Sequence, residues 1–279
     1  QMKAHDLPAA VIAIVRDGRV VLARGYGYAD RGTARKVDPA TSLFRIGSTS
    51  KLFTWTAVMQ LVEQGKLDLD RDVNAYLRGV HIPPAFGRPV TLRALLTHSA
   101  GFEDGGIGYL SHFTPPADTS IERTLAAHIP ARVRPPFTLP AYSNFGAALA
   151  GLIVEQASGM PVDDYVTTHI LTPLGMHHAT FAEPLPARLA PDRVIAYDGR
   201  SAGARTLPFE YIAGFRPAGS MSASALDMAR FMIAHLQRGR FGDGRILRPD
   251  TADLMHRTAF QTDPRLPGVA LGFYEGQVG

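Results

Sequence analysis

The chain has 279 residues, with 29 Lys and Arg against 25 Asp and Glu, a net charge of +4, 46% hydrophobic residues and no cysteine. That length and apolar content allow one large domain or two interlocked ones with an ample core. The lack of cysteine excludes disulfides, thiolate catalysis and Cys-based zinc sites. The positive charge is scattered, with Arg132 and Arg134 as its nearest approach to a cluster, so neither a basic stripe nor an aromatic platform argues for nucleic acid. No apolar run reaches membrane-spanning length. The opening residues Gln1 to Asp6 do not read as a signal peptide, and a start on Gln suggests a processed N-terminus.

Two β-branched runs, Val11–Val15 and Val20–Ala23, flank Asp17-Gly18 and predict a β-hairpin. Gly25-Tyr26-Gly27-Tyr28-Ala29-Asp30 lacks the third glycine of a dinucleotide fingerprint and reads as the end of the second strand. The run Leu52–Gln64 is apolar nearly all round, contains no Pro or Gly, and stops at Gly65. It predicts a helix buried on several sides. Thr91 should cap a short helix ending near Leu96, before Thr97-His98-Ser99-Ala100-Gly101. A long irregular stretch follows, with Gly105-Gly106, Pro115-Pro116 and Pro135-Pro136, and loops of that length usually line a site or fold as lids. Further helices are predicted over Phe145–Ala157, from Pro161 to Ile170, from Ser224 to Gln237 and from Pro249 to Thr258. Val269–Tyr274 reads as a strand.

A hairpin first, a helical middle and a strand last suggest an α+β fold. Its antiparallel sheet would be formed from both ends of the chain around a large inserted all-helical lobe. Residues 1–50 with 260–279 would make the sheet lobe and 51–259 the helical lobe of a single domain.

The chemistry concentrates at Ser48 and Lys51. Three residues apart on a helix, they share one face, and the N-terminus of the buried helix favours developing negative charge at Ser48. Lys51 is one of four lysines and lies in the least polar neighbourhood of them all. Histidines offer less: His177-His178 has no third ligand at metal spacing, so no metal site is expected. No Gly-x-Ser-x-Gly occurs, which argues against an α/β-hydrolase.

Phe44-Arg45-Ile46-Gly47-Ser48-Thr49-Ser50-Lys51, Leu95-Leu96-Thr97-His98-Ser99-Ala100-Gly101 and Tyr142-Ser143-Asn144 together resemble the serine β-lactamase and penicillin-binding-protein superfamily. The resemblance is strongest to its class C branch, with the related esterases and D-aminopeptidases. Pro173-Leu174-Gly175-Met176 and Pro217-Ala218-Gly219-Ser220-Met221 look like further landmarks. The likeness implies a β-lactamase/transpeptidase-like α/β sandwich and a serine hydrolase working through an acyl-enzyme without a cofactor. Its substrate would be a small molecule or peptide: a β-lactam, a short acyl ester or a D-amino acid peptide. The alternative is a non-turnover penicillin- or peptidoglycan-peptide-binding protein of the same fold, which acylates slowly or only holds a peptide-like ligand. A periplasmic or extracellular location is implied by the family alone.

The same likeness makes Ser48 the nucleophile, Lys51 its neighbour, Tyr142 a proton carrier and Asn144 a ligand of substrate and lysine; His98 would support a loop. Free Tyr and Lys titrate near ~10 and ~10.4, so neither is a good base at neutral pH. Either a neighbouring ammonium lowers Tyr142 or burial lowers Lys51, and the sequence leaves both open. The family's third motif, Lys-Thr-Gly or His-x-Gly on a strand facing the nucleophile, is absent: no Lys-x-Gly or His-x-Gly occurs in the chain. The sequence-based expectation is therefore a catalytic unit whose sheet lacks C-terminal strands and a terminal helix.

Overall fold

In the computed structural model, residues 2, 5, 7–106, 108–198 and 205–276 are described. Asp17 and Gly18 both take positive φ, 52° and 71°, the turn geometry that an Asp-Gly pair supplies between twisted strands. They join β1 (Ala9–Arg16) to β2 (Arg19–Asp30) in antiparallel register, with an irregularity between Ile14 and Val15. A short β3 (Arg35–Lys36) pairs with the far end of β2, giving the order β1-β2-β3.

The chain then enters β4 (Phe44–Arg45), turns once through a 3₁₀ segment at Gly47–Ser50, and continues directly into α1 (Lys51–Glu63). As its all-round apolar composition predicts, α1 is the centre of the core. Phe53, Trp55, Val58, Met59 and Leu61 are fully buried, and Phe53 stacks on Phe231 with ring centroids 4.0 Å apart. Its polar residues bond outwards to backbone: Thr54 Oγ1 donates to the Pro217 carbonyl at 2.8 Å, and Gln60 Nε2 donates to the carbonyls of His169 and Ile246.

The helical lobe follows, with α2 (Leu92–Leu96), α3 (Ile121–Ala127), α4 (Asn144–Ser158) and α5 (Val162–Val166), which runs on through a wider turn to Leu171. Thr91 and Ser143 cap α2 and α4 through their hydroxyls, and Gly159 ends α4 in the left-handed region at φ 75°. The helix α3 falls inside the stretch that the sequence suggested was irregular. Its seven residues carry only Ile121 and Leu125 as buried anchors, too short a period to show through flanking prolines.

Next come β5 (Ala179–Thr180), a small hairpin of β6 (Tyr197–Asp198) and β7 (Arg205–Thr206), α6 (Arg216–Gly219) and β8 (Ser222–Ala223). β8 lies between β4 and β5, pairing Phe44 with Ala223 and Arg45 with Ser222. This three-stranded sheet ties the approach to Ser48 to the exit from α6. Ser50 Oγ reinforces it, accepting from Met221 N at 3.1 Å. The contact between α4 and α6 is close because residue 151 is glycine: a Cβ there would lie 2.2 Å from Pro217 Cγ. α7 (Ala225–Leu236), capped by Ser224, packs under the first hairpin. A second hairpin of β9 (Arg240–Phe241) and β10 (Gly244–Arg245) leads to α8 (Pro249–His256).

The fold is α+β with antiparallel sheets, as expected from sequence. One element differs. Val269–Tyr274 is not an extended strand beside the hairpin; Val269 bridges to Phe260 and to Tyr274, and the chain folds back at Gly272, where φ is 93°. Glycine permits that turn, and it places Leu271 in the core while Gly272 N donates to the Leu96 carbonyl. Among the described residues, no strand from the C-terminal end pairs with β1.

Candidate active site

The 3₁₀ turn before α1 leaves Ser48 exposed and carries Lys51 inward, to 3% exposure. The i, i+3 spacing places Lys51 Nζ 3.1 Å from Ser48 Oγ. Tyr142 and Asn144 reach the same point from the start of α4, whose Ser143 cap fixes the residues on either side. The Tyr142 hydroxyl donates to Ser48 Oγ at 2.5 Å, and Asn144 Oδ1 accepts from Lys51 Nζ at 2.9 Å. All four residues singled out in the sequence therefore meet.

Two further groups complete the arrangement, and sequence reasoning missed both. The Ala218 carbonyl on α6 accepts from Lys51 Nζ at 2.7 Å. Asp104, in the glycine-rich loop, accepts from Asn144 N at 2.9 Å and from Asn144 Nδ2 at 3.2 Å. The second bond sets the orientation of the Asn144 amide and so turns its oxygen to Lys51. A carboxylate in an irregular loop carries no local signal of that role.

The partners of Lys51 have a chemical consequence. Asn144 Oδ1 and Ala218 O can only accept, and they occupy two N–H bonds. A neutral amine would then aim its lone pair at the third partner, Ser48 Oγ. None of the three partners carries a charge. Burial accordingly pulls the Lys51 ammonium down from its usual value to about 7, against a partial upward pull from Asp104. Tyr142 moves the other way. Burial raises its phenol, the bond to Ser48 offsets part of that, and Asp104 adds to the rise. Lys51 Nζ lies over the Tyr142 ring, 4.6 Å from its centre, so the ammonium meets the π face rather than the hydroxyl. Of the two alternatives the sequence left open, these directions favour a lowered Lys51.

His98 lies behind Tyr142, with ring centroids 4.6 Å apart, and its Nδ1 accepts from Ser143 N at 3.2 Å. Burial, and then the Lys51 charge, lower it to about 4. It is neutral at physiological pH and has no bond to Ser48, consistent with the supporting position expected of it.

On the other side of Ser48, Arg45 Nη2 donates to Glu183 Oε1 at 2.7 Å, and Nη1 donates to the Ser220 carbonyl. The Glu183 side chain is 1% exposed. Its second oxygen accepts from the backbone N–H groups of Ile212 and Ala213, both at 2.9 Å. Burial raises this carboxyl, and Arg45 is the largest influence holding it down.

An exposed serine bonded to both a buried lysine and a tyrosine, on a helix-rich α+β scaffold, defines the class of the serine β-lactamases and penicillin-binding proteins. The chain belongs to the beta-lactamase family, whose model matches residues 1–279. It is 34% identical over 223 residues to a putative penicillin-binding protein, PbpX, of Bacillus subtilis, covering 78% of this chain and 52% of that one. It is 32% identical over 271 residues to penicillin-binding protein 4 of Amycolatopsis lactamdurans, covering 91% and 66%. Among solved structures it resembles the octameric penicillin-binding protein homologue of Pyrococcus abyssi. That match has a TM-score of 0.80 and 29% identity, and covers 98% of this chain and 62% of that one. The chain thus spans about half to two thirds of the length of the curated relatives it matches. No single described helix is long and apolar enough to cross a membrane.

Proposed function

We propose that this protein is a serine hydrolase that cleaves an amide or ester through an acyl-enzyme on Ser48. The observation that carries the proposal is the pair of bonds to Ser48 Oγ, one from a buried lysine lowered to about 7 and one from a phenol that keeps its proton. Lys51 as free amine takes the Ser48 proton while Oγ bonds to the acyl carbon. The bond from that carbon to its leaving nitrogen or oxygen then breaks, and the Tyr142 hydroxyl is placed to protonate the leaving atom. The proton that Lys51 took from Ser48 replaces the one Tyr142 gives, so that amine and phenol are both restored. Water repeats the sequence to release the acid and restore Ser48. Asn144, held by Asp104, keeps Lys51 aligned and borders the substrate cleft.

The substrate class is a β-lactam, a short acyl ester or a D-amino acid peptide. The single-domain reading, with further strands completing the sheet, belongs to the same proposal. It is supported by Ile12, Ile14, Val21 and Leu22 of the first hairpin, which remain exposed. Intact mass tested against ester turnover checks it: a 30.1 kDa chain hydrolysing esters at full rate would show that the described strands suffice.

A fluorophosphonate or penicillin probe should add mass to the peptide bearing Ser48, and Ser48→Ala should abolish it. Labelling that persists in Ser48→Ala would overturn the proposal. A panel of nitrocefin, p-nitrophenyl acetate and butyrate, and D-alanyl peptides then separates substrates. A protein that labels once and never releases product would be the penicillin-binding alternative, for which the names of two relatives speak.

A further inference from the structure

Beside Ser48 lies a cleft of about 320 Å³, bordered by Asn144, Arg45, Leu110, Ile212 and Glu210 among others. Its charges are not balanced. Arg45 is committed to Glu183 and to the Ser220 carbonyl. Lys51 is turned inward to Ser48, Asn144 and Ala218, and Asp104 is engaged by Asn144. Glu210 is exposed, and its carboxylate has no hydrogen-bond or ion-pair partner among the described residues.

The segment that carries Glu210 is held on both sides of the cleft wall. Tyr211 exchanges two backbone hydrogen bonds of 2.8 Å with His112. The next two N–H groups, of Ile212 and Ala213, bind the buried Glu183 carboxylate. Side chains alternate along it: Glu210 and Ile212 border the catalytic cleft, while Phe209 and Tyr211 border a separate cavity of about 590 Å³. Glu210 therefore faces the substrate space from a fixed stretch of backbone.

We infer that Glu210 binds a primary ammonium group on the substrate, so that the amide or ester cleaved at Ser48 is that of an aminoacyl group. This rests on the hydrolase reading above and deepens it. An unpaired carboxylate on the wall of a cleft attracts a cation and repels an anion, and selectivity arises from both effects. A carboxylate-bearing acyl donor meets no free cation in the described part of this cleft. An ammonium-bearing one meets a preformed partner.

The test uses the full chain and three p-nitrophenyl esters of similar size, with Ser48→Ala as the blank for spontaneous hydrolysis. Alanyl (D and L) carries the ammonium, isobutyryl replaces it with methyl, and succinyl carries an anion. We expect kcat/KM for alanyl to exceed that for isobutyryl by about tenfold or more, with succinyl lowest, and the alanyl preference to shrink as salt rises. In Glu210→Gln the alanyl-to-isobutyryl ratio should fall towards one, mainly through KM, and Glu210→Asp should restore part of it. A ratio unchanged in Glu210→Gln, or alanyl and isobutyryl rates that fall together with the ratio intact, overturns the inference and leaves the hydrolase standing. So does a wild type that prefers succinyl. If no ester turns over and Ser48 does not label, the hydrolase reading itself fails.

Discussion

Two cationic side chains lie six residues apart, with Ser48 between them, and the protein holds them in opposite ways. Arg45 has a buried carboxylate, Glu183, at 2.7 Å, which itself collects two backbone N–H groups. Lys51 has a hydroxyl, an amide oxygen and a peptide carbonyl, and its acidic neighbour among the described residues, Asp104, acts from behind Asn144. The first cation is neutralised and organises structure. The second is buried without neutralisation, and so gives up its proton near neutrality. Beside one serine, the partner rather than the cation decides whether a residue is held as a strut or left able to act as the base proposed above.

The comparison breaks most sharply at Lys51. Lys51→Arg keeps a cation that cannot deprotonate in a protein. If the amine is the base, acylation by a p-nitrophenyl ester should fall roughly 10⁴-fold, the upper end of general-base effects. Stopped-flow release of p-nitrophenolate reads this directly; near-normal acylation would move the role of base elsewhere. At Arg45 the expectation is the reverse, a loss of stability. Glu183→Ala leaves the guanidinium and two N–H groups without their acceptor and should cost about 3 kcal/mol in urea denaturation, the low end for breaking a buried pair because Arg45 is partly exposed.

Tyr142→Phe sharpens the contrast by removing a proton donor and leaving both cations in place. The drop should be roughly 10²-fold in kcat/KM with little change in unfolding midpoint. Full activity would make Tyr142 a packing residue. The pH profile of the wild type is a gentler measure. Protonated Lys51 is inactive as a base, so kcat/KM should rise with pH through about 7 and fall about tenfold per unit below it. The descending limb should lie above the ordinary phenol range, because Tyr142 is raised. Asp104→Asn should give the smallest change. It removes the charge that pulls Lys51 upward, so the acid limb should shift to lower pH.

What the sequence revealed was what lies close along the chain. The Ser48–Lys51 spacing, the buried run after it, the Asp17-Gly18 turn and the Thr91 and Ser224 caps each need only a few neighbouring residues, and each has the expected geometry. Tyr142 and Asn144 came from a motif that the resemblance supplied. Missing from the sequence reading were pairings across the chain: Arg45 with Glu183, 138 residues away, and Lys51 with the Ala218 carbonyl, a backbone atom that every residue type carries. The geometry of Lys51 against Tyr142 was out of reach for the same reason. Charge arithmetic allows an ammonium to lower a phenol, but here the ammonium lies over the ring face, and only packing decides that. Val269–Tyr274 misled because its composition favours a strand while Gly272 turns it back.

The absent side chain at Gly151 has a reach well beyond its own helix. Pro217, which fills the space a methyl would take, immediately precedes Ala218 on α6. In most helix interiors, alanine in place of glycine adds up to about 1 kcal/mol of stability. Here the added methyl would have to wedge two helices apart, carrying the Ala218 carbonyl away from Lys51. A displacement of ~1 Å is enough to forfeit much of a catalytic alignment. The helical lobe thus works as a gauge block: the thickness of a bare backbone contact between α4 and α6 sets how firmly a lysine is gripped on the far side of the core.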